Sequence, residues 1–353
     1  MKVALISMGS ISSKWTVEAM KKYFKSADHI DIKALEVSIG RGGDILYNGN
    51  PLKDYDCIYA KGSYRYANVL RSVTTILSEN CYMPINASAF STGHDKLLTH
   101  IKLMSAKIPM PKTYLASTAE AARKILKEIH YPIVLKLPAG THGKGVMLAD
   151  SEESAASMID TLLLLNQPFL LQEYIETGGI DIRALVVGDK VVAAMRRKAV
   201  TGEKRANIHA GGSGEAVTLD HQTKKIAIQT AKAAGCDICA VDILESAKGP
   251  MVIEFNLSPG LQGITKATKI DVADKIAKYL YQKTLAKKDV NKCKQEKKTM
   301  KEILPEQEIV CKLDFRGDRI LLPQFVSKLT NFKDDKDIVI KAHKGKLILE
   351  EYE

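Results

Sequence analysis

The residues with the clearest chemical potential lie in the stretch AVDILESAKGPMVIEFNLSPGLQGI, residues 240–264. Two carboxylates and one carboxamide, Asp242, Glu254 and Asn256, stand there among apolar residues that are typical of β-strands. Oxygen-bearing side chains of this kind bind hard divalent cations such as Mg²⁺. The simpler interpretation is a β-hairpin whose polar side chains face solvent, so the spacing of the three residues has to be examined.

The position of the turn sets which residues of this hairpin face each other. The Gly-Pro pair after Lys248 indicates a turn, which we take to be centred on that lysine. Asp242 then lies opposite Glu254, with Cβ atoms about 5 Å apart, and Asn256 projects from the same face. Two facing carboxylates repel each other unless a cation lies between them, so the hairpin predicts a Mg²⁺ site. The solvated polar face stays the alternative.

A second segment, VLKLPAGTHGKGV, combines a lysine with a glycine-rich loop. Lys136 ends a short apolar strand, and Gly140, Gly143 and Gly145 follow it. Glycine-rich backbone beside a lysine presents amide groups and positive charge to phosphates. The Lys-Ser/Thr pair of a P-loop is missing from this segment. An ordinary turn between two strands is the alternative.

A third segment, FLLQEYIETGGIDIRALVV, is an apolar strand that runs into Glu173, Tyr174 and Ile175, with Asp181 further on. Backbone groups at a strand edge can hydrogen-bond an adenine ring, and a later carboxylate can hold ribose hydroxyls. A plain edge strand is the alternative interpretation of this segment.

The elements that must position these residues fall into consecutive regions. Strands and helices alternate over residues 1–92, a pattern that predicts a small parallel α/β domain. Residues 93–281 mix strands and helices with glycine-rich turns. We expect the lysine-rich segment 282–302 to be a linker and residues 303–353 to form a small β-rich module.

Composition limits the classes of function without choosing among them. The formal net charge is +11, and eight lysines against three acidic residues in 282–302 supply much of it. A basic body suits anionic ligands such as nucleotides or acidic acceptors. No apolar run reaches the length of a membrane span, and six scattered cysteines fit reduced thiols. We therefore expect a cytoplasmic protein with no membrane partner.

From about His94 to Leu280 the chain resembles the RimK-like branch of the ATP-grasp ligases. The matching text is HDKLLTHIKLMSAKIPMPKT, the three segments above, and RANIHAGG, in the family's order and with its separations. The resemblance implies an α/β (α+β) ATP-grasp fold over residues 93–281, with a lid subdomain at about 107–172. The small parallel α/β domain would precede it.

The resemblance also implies roles for individual residues. The implied contacts with ATP are Lys96 and Lys136 on the phosphates, Gly140, Gly143 and Gly145 in the lid loop, Glu173, Tyr174 and Ile175 on the adenine, and Asp181 on the ribose. The implied ligands of two Mg²⁺ or Mn²⁺ ions are Asp242, Glu254 and Asn256. Arg205 and Asn207 match an R-S-N element near the phosphates and the acceptor, although Ala206 replaces the serine. Together with Lys136 they are the implied catalytic residues, with Arg205 suited to the developing oxyanion.

The implied reaction forms an amide. ATP phosphorylates an acceptor carboxylate, and the amine of an amino acid, most plausibly L-glutamate, attacks the acylphosphate, releasing ADP and phosphate. The acceptor would be acidic: a protein C-terminus, a coenzyme tail or a carrier protein. The basic stretch around Arg196 and Arg197 would suit such an acceptor or the incoming glutamate, and a solvated hairpin is the alternative.

The C-terminal tail resembles the AbrB-type swapped-hairpin module over about forty residues, with Asp318 interrupting the pattern between Gly317 and Arg319. That resemblance implies dimerisation, so we expect a homo-oligomer. Nine basic and ten acidic residues make residues 303–353 nearly neutral, which argues against nonspecific phosphate binding. Nucleic acid would bind only through this module. An ATP-sensing, DNA-linked regulator is the alternative to a ligase.

Overall fold

The computed structural model divides the chain into two compact units, Met1–Asn291 and Lys292–Glu353. The residues whose structure is described are 1–40, 43–138, 145–198, 213–303, 312, 314–324, 326, 330 and 336–352. No helix in these ranges is long and apolar enough to cross a membrane.

Strands and helices alternate in the first part of the chain, and strands dominate the middle. The strands are β1 (Lys2–Ser7), β2 (Ser26–Asp31), β3 (Leu35–Ser38), β4 (Asp44–Tyr47), β5 (Asn50–Pro51), β6 (Cys57–Ala60), β7 (Thr113–Leu115), β8 (Ile133–Lys136), β9 (Val146–Ala149), β10 (Leu170–Glu173), β11 (Ile180–Val187), β12 (Lys190–Lys198), β13 (Ser213–Ala216), β14 (Ile238–Ser246), β15 (Gly249–Asn256), β16 (Asp314–Arg316), β17 (Arg319–Leu321), β18 (Ile338–His343) and β19 (Lys346–Glu351). The helices are α1 (Ile11–Met20), α2 (Ala67–Leu77), α3 (Ala87–Thr92), α4 (Lys96–Ser105), α5 (Ala119–Glu128), α6 (Glu152–Leu164), α7 (His221–Ala234), α8 (Gln262–Thr268) and α9 (Val272–Ile303).

The N-terminal part confirms the predicted small parallel α/β arrangement. Strands β2, β1 and β6 form a three-stranded sheet in that order, and both pairs of neighbours are parallel. Helix α1 connects β1 to β2 and begins after Ser10, whose Oγ accepts a hydrogen bond from Ser13 N at 3.3 Å. Such a cap satisfies one of the free amide groups of the first turn. Strands β3, β4 and β5 form a small separate sheet.

The segment between α4 and β11 builds its own layer. Strands β7, β10, β8 and β9 form an antiparallel sheet in that order, and helices α5 and α6 pack against each other. The apolar side chains beneath this sheet form a core of their own, which includes Leu126, Ile133, Leu135, Ile159 and Leu171. This layer carries Lys136 at the end of β8 and Glu173 at the end of β10.

The central sheet has five antiparallel strands in the order β13-β12-β11-β14-β15. Helix α7 packs on it and ends at Gly235, where a φ of 71° suits glycine. Its buried apolar residues belong to the same core as those of the N-terminal sheet. Two hairpins of this sheet, β11–β12 and β14–β15, carry most of the charged residues of the candidate site.

Helix α9 continues beyond the expected end of the closing helix. It runs from Val272 to Ile303, so the segment 282–302, predicted to be a linker, lies within it. The domain boundaries at 92, 281 and 302 remain predictions.

In the second unit, the described strands form two hairpins, β16–β17 and β18–β19. This confirms a small β-rich C-terminal module. Its resemblance to swapped-hairpin modules stays a prediction.

Candidate active site

The carboxylates of the central hairpin lie where the sequence placed them. Asp242 on β14 is directly opposite Glu254 on β15, and Asn256 pairs with Ala240. A register shift between Asp242 and Ile243 separates this part of the hairpin from the part next to the turn. The predicted pairing of the two carboxylates is therefore confirmed.

Asp242 is enclosed by two arginines. Arg183 Nε donates to its Oδ1 at 2.8 Å and Arg183 Nη2 to its Oδ2 at 2.7 Å. Arg197 Nη2 lies 2.9 Å from the same Oδ2, and Arg197 Nε and Nη2 donate to Oδ1 and Oδ2 of Asp181, each at 2.6 Å. All four side chains are buried or nearly so, with at most 14% exposed. Because each carboxylate contacts guanidinium groups, these four buried charges compensate each other.

The electrostatic states of Asp242 and Glu254 differ. Burial acts to raise the pKa of Asp242, but Arg183 and Arg197 outweigh it and hold that pKa well below its usual range. Glu254 is open to solvent, yet the surrounding protein and the charge of Asp242 raise its pKa. Asp242 thus carries a fixed negative charge, and the neighbouring carboxyl of Glu254 ionises less easily. A cation at Glu254 would relieve this penalty.

The donor set fits a Mg²⁺ ion that substrate oxygens help to bind. Among the described residues no cluster of three or more His, Cys, Asp and Glu side chains could hold a metal. The predicted ligands are two carboxylates and the carboxamide of Asn256, whose Oδ1 also accepts from Ser258 N at 2.9 Å. Mg²⁺ is usually bound through one or two carboxylates plus phosphates and water, and this set matches that preference.

Two lysines lie beside the carboxylate hairpin. Lys136 is the last residue of β8, and Lys96 is the first residue of α4. The backbone joins them, because Lys96 N donates to the carbonyl oxygen of Pro138 at 3.1 Å. Helix α4 is capped by Asp95, whose side chain accepts from Leu98 N at 2.9 Å. This arrangement brings both predicted phosphate-binding lysines to the same region.

Burial lowers the pKa of both lysines. It lowers the pKa of Lys136 to about 8, with Lys96 adding to the effect and Glu254 opposing it. Burial also lowers the pKa of Lys96, again against the charge of Glu254. The two ammonium groups repel each other, and a polyanion such as the phosphates of ATP would stabilise their charged forms.

The loop after Lys136 is described only at its end. Gly145 has a φ of 75°, and a Cβ there would lie 2.9 Å from Leu137 Cδ1, so this position requires glycine. Gly140 and Gly143 lie outside the described residues, as do Arg205 and Asn207. Their predicted roles stay predictions.

The residues predicted to bind the nucleoside follow two different strands. Glu173 ends β10, and its backbone N donates to Lys112 O at 2.9 Å. Tyr174 and Ile175 come directly after it and are half-buried. Asp181 is buried against Arg197, as described above, so a ribose would have to share this carboxylate with a guanidinium group. The nucleoside contacts remain predictions.

The structure adds two sets of residues that the sequence did not assign to the site. Arg197 was grouped with a basic stretch for an acceptor or for solvent; instead it is buried between Asp181 and Asp242. Arg196, next to it, forms ion pairs with two exposed glutamates.

The second set is a hydrogen-bonded group between α4 and β10. Gln172 Nε2 lies 3.0 Å from His100 Nε2 and donates to Thr113 Oγ1 at 2.8 Å. It joins the helix that begins with Lys96 to the strand that leads into Glu173. No motif in the sequence indicates that His100 and Gln172 are partners.

Comparison with known proteins agrees with this geometry. Residues 93–280 match the model of the RimK-like ATP-grasp domain. The chain is 39% identical to a probable alpha-L-glutamate ligase of Marinomonas sp. (strain MWYL1), over 79% of this chain and 95% of the relative. It is 41% identical to probable alpha-L-glutamate ligase 2 of Pseudoalteromonas atlantica (strain T6c / ATCC BAA-1087), over 79% of this chain and 95% of the relative.

Solved structures share the fold at low sequence identity. A RimK domain ATP-grasp protein from Sphaerobacter thermophilus DSM 20745 has a TM-score of 0.62 and 22% identity, over 79% of this chain and 99% of that one. The ATP-grasp ligase PsnB, in complex with a precursor variant, Mg and ADP, has a TM-score of 0.63 and 20% identity, over 80% and 98%. The chain therefore belongs to the RimK-like ATP-grasp family of ATP-dependent carboxylate–amine ligases.

Proposed function

We propose that this ligase joins L-glutamate to the carboxylate of an acidic acceptor, through an acylphosphate, with release of ADP and phosphate. The observation that carries the proposal is the convergence of opposite charges at one site. Asp242 faces Glu254 on the central hairpin, and the charge of Glu254 acts on both Lys96 and Lys136. Relatives at 39% and 41% identity are named probable alpha-L-glutamate ligases, which supports glutamate as the amino acid.

The residues of this chain would act by binding and orientation. Lys96 and Lys136 would hold the phosphates of ATP, and Asp242, Glu254 and Asn256 would hold two Mg²⁺ or Mn²⁺ ions. When bound, the ions would neutralise charge on the transferring phosphoryl group. Arg183 and Arg197 would fix the Asp242 carboxylate before substrate arrives, which avoids reorganisation during the reaction. Arg205 and Asn207 would lie near the acceptor.

No covalent nucleophile of the protein is needed for this reaction. The γ-phosphate moves to an oxygen of the acceptor carboxylate, and the glutamate amine then displaces it as the amide forms. Water would hydrolyse the acylphosphate, so the site has to exclude it during this step. The loop around Gly143 is the part of the chain that we propose closes over the phosphates.

Phosphate release from Mg-ATP tests the proposal. The assay contains L-glutamate and a cell extract that has been separated into large and small molecules. Release that needs glutamate and the large fraction identifies a protein acceptor, whereas release that needs the small fraction identifies a coenzyme or metabolite. Bound ATP without phosphate release under any of these conditions would refute the glutamate ligase.

Asp242→Asn is the matched variant for this assay. It keeps the size of the side chain and removes the charge that pairs with Arg183, so turnover should be lost. Glu245→Gln, a carboxylate three residues away on the same strand, pairs only with the half-exposed Arg196 among the described residues and should keep wild-type turnover.

A further inference from the structure

Lys61 is a buried lysine outside the site described above. It directly follows β6, and only 3% of its surface is exposed. No hydrogen bond or ion pair joins its ammonium group to the residues that the structure describes, and the ring of Tyr59 lies 5.7 Å from its Nζ. A buried ammonium group without a carboxylate is unusual, because buried charges are normally paired.

The energetic consequence is a buried charge that no described residue compensates. Burial lowers the pKa of Lys61 to about 8, so the group is still mostly protonated at neutral pH. An anion that binds from outside would supply the missing partner. Tyr59 Oη, Thr74 Oγ1, His94 Nε2, His100 Nδ1 and Thr265 Oγ1 are the fully enclosed unpartnered polar atoms among the described side chains. Lys61 Nζ does not belong to this set, and 3% of the Lys61 surface remains exposed.

The position of Lys61 in the fold links it to the candidate active site. Its backbone N donates to Ile6 O at 2.9 Å, so Lys61 lies beside the end of β1 at the carboxyl edge of the parallel sheet. From there a short loop leads into α1. In the first turn of α1, Ser12 Oγ accepts from Leu261 N at 2.9 Å. Leu261 follows the candidate metal ligand Asn256 by five residues.

Two features at this edge favour a negatively charged group. The first turn of the ten-residue helix α1 presents the positive end of the helix dipole. Lys61 is the second, on the neighbouring strand and nine-tenths or more buried. Ligands of α/β sheets commonly bind at the carboxyl ends of the strands, where loops and helix N-termini meet.

We propose that Lys61 and the N-terminus of α1 bind a carboxylate of L-glutamate, so that the N-terminal sheet contributes to the amino-acid site; this proposal rests on the proposed function. The bound carboxylate forms the ion pair that the ammonium group of Lys61 lacks among the described residues. The loop from Asn256 to Leu261 then places the glutamate beside the metal ligands.

Calorimetric titration of L-glutamate into the full chain tests this. The protein is first saturated with Mg²⁺ and a non-hydrolysable ATP analogue. Lys61→Met should weaken glutamate binding at least tenfold and leave nucleotide affinity within twofold of wild type. Lys61→Arg should bind glutamate more tightly than Lys61→Met, because it keeps the positive charge. Lys33→Met removes one exposed charge of the same part of the chain and should change neither affinity.

A parallel phosphate-release assay on the wild-type enzyme separates this proposal from the proposed function. If wild type releases phosphate with glutamate while Lys61→Met binds glutamate as tightly as wild type, the role of Lys61 is refuted and the ligase stands. If wild type neither binds glutamate nor turns over with it, both fail. Thermal denaturation checks that each variant folds, and Lys61→Gln replaces Lys61→Met if the latter does not.

Discussion

Arg183 holds the carboxylate of Asp242 by two parallel hydrogen bonds, with Nε–Oδ1 and Nη2–Oδ2 distances of 2.8 and 2.7 Å. The two residues are direct partners on the neighbouring strands β11 and β14. A two-point contact fixes the plane of the carboxylate as well as its position. The orientation of Asp242 is thus set by the protein, before any ligand binds.

Replacing Arg183 by lysine should weaken metal binding. Lysine keeps the charge but cannot form the parallel pair of hydrogen bonds, so Asp242 loses its fixed orientation. Losing such a supporting contact typically costs about 10- to 100-fold in metal affinity. The measurement is the Mg²⁺ concentration that gives half-maximal turnover. Arg196→Lys, on the exposed side of β12, is the control and should leave it unchanged; equal values for both variants would contradict the role of Arg183.

Arg197 should be important for stability. Arg197→Met removes the guanidinium group that contacts the buried carboxylate of Asp181 and leaves Asp242 paired only with Arg183 among the described residues. Removing one partner of a buried ion pair costs about 3–5 kcal/mol of the free energy of unfolding. Arg196→Met, in the preceding position, breaks ion pairs that are partly exposed and should lower the free energy of unfolding by less than about 1 kcal/mol. Urea unfolding of the two variants measures this, and similar losses would refute a buried network.

Binding of ATP should take up protons near pH 8. Burial lowers the pKa of Lys136 to about 8, and the phosphates favour its charged form, so ATP binding raises that pKa again. Affinity for Mg-ATP should therefore fall as the pH rises through about 8. Calorimetry in buffers of different ionisation enthalpy measures the proton uptake. Lys136→Arg stays charged and should lose this uptake; uptake that persists in the variant would assign it to another group.

Lys61 should destabilise the ligand-free fold at neutral pH. Its pKa falls from 10.5 to about 8 on folding, so the unfolded chain binds more protons between those values. The cost is therefore fully present below pH 8 and disappears as the pH rises to about 10.5. Lys61→Met should raise the free energy of unfolding at pH 7, by on the order of 3 kcal/mol. Denaturant unfolding at pH 7 and pH 10 tests this, and an equal gain at both would exclude titration as its cause.

The two functional hairpins show how far sequence could predict the site. A turn centred on Lys248 placed Asp242 opposite Glu254, and the structure agrees. In the structure Ser246 pairs with Gly249, so the turn is centred between Ala247 and Lys248. The register shift next to Asp242 then brings this residue opposite Glu254, as predicted. The pairing was therefore found although the bulge was not predicted.

The same argument would have failed on the other hairpin. A turn at Gly188 and Asp189 pairs Asp181 with Arg196, but a shift between Leu185 and Val186 makes Arg197 the partner. A one-residue shift exchanges the faces of a strand, so it decides which arginine is buried. Bulges depend on packing across the whole sheet, and the local sequence does not specify them.

Other features depended on contacts distant in sequence. The parallel N-terminal sheet followed from alternating strands and helices, because that pattern is local. The contact of His100 with Gln172 spans 72 positions, and the burial of Lys61 without an ion pair among the described residues depends on which distant segments pack around it. Neither could be predicted from residue type and spacing.

The account predicts that the acceptor carboxylate is phosphorylated, and an isotope experiment tests this most directly. Carboxylates of the active acceptor fraction are enriched in the heavy oxygen isotope before reaction with Mg-ATP and L-glutamate. An acylphosphate transfers one labelled oxygen to the released phosphate, with ADP as the other product. Unlabelled phosphate, or release of AMP in place of ADP, would contradict the proposed reaction.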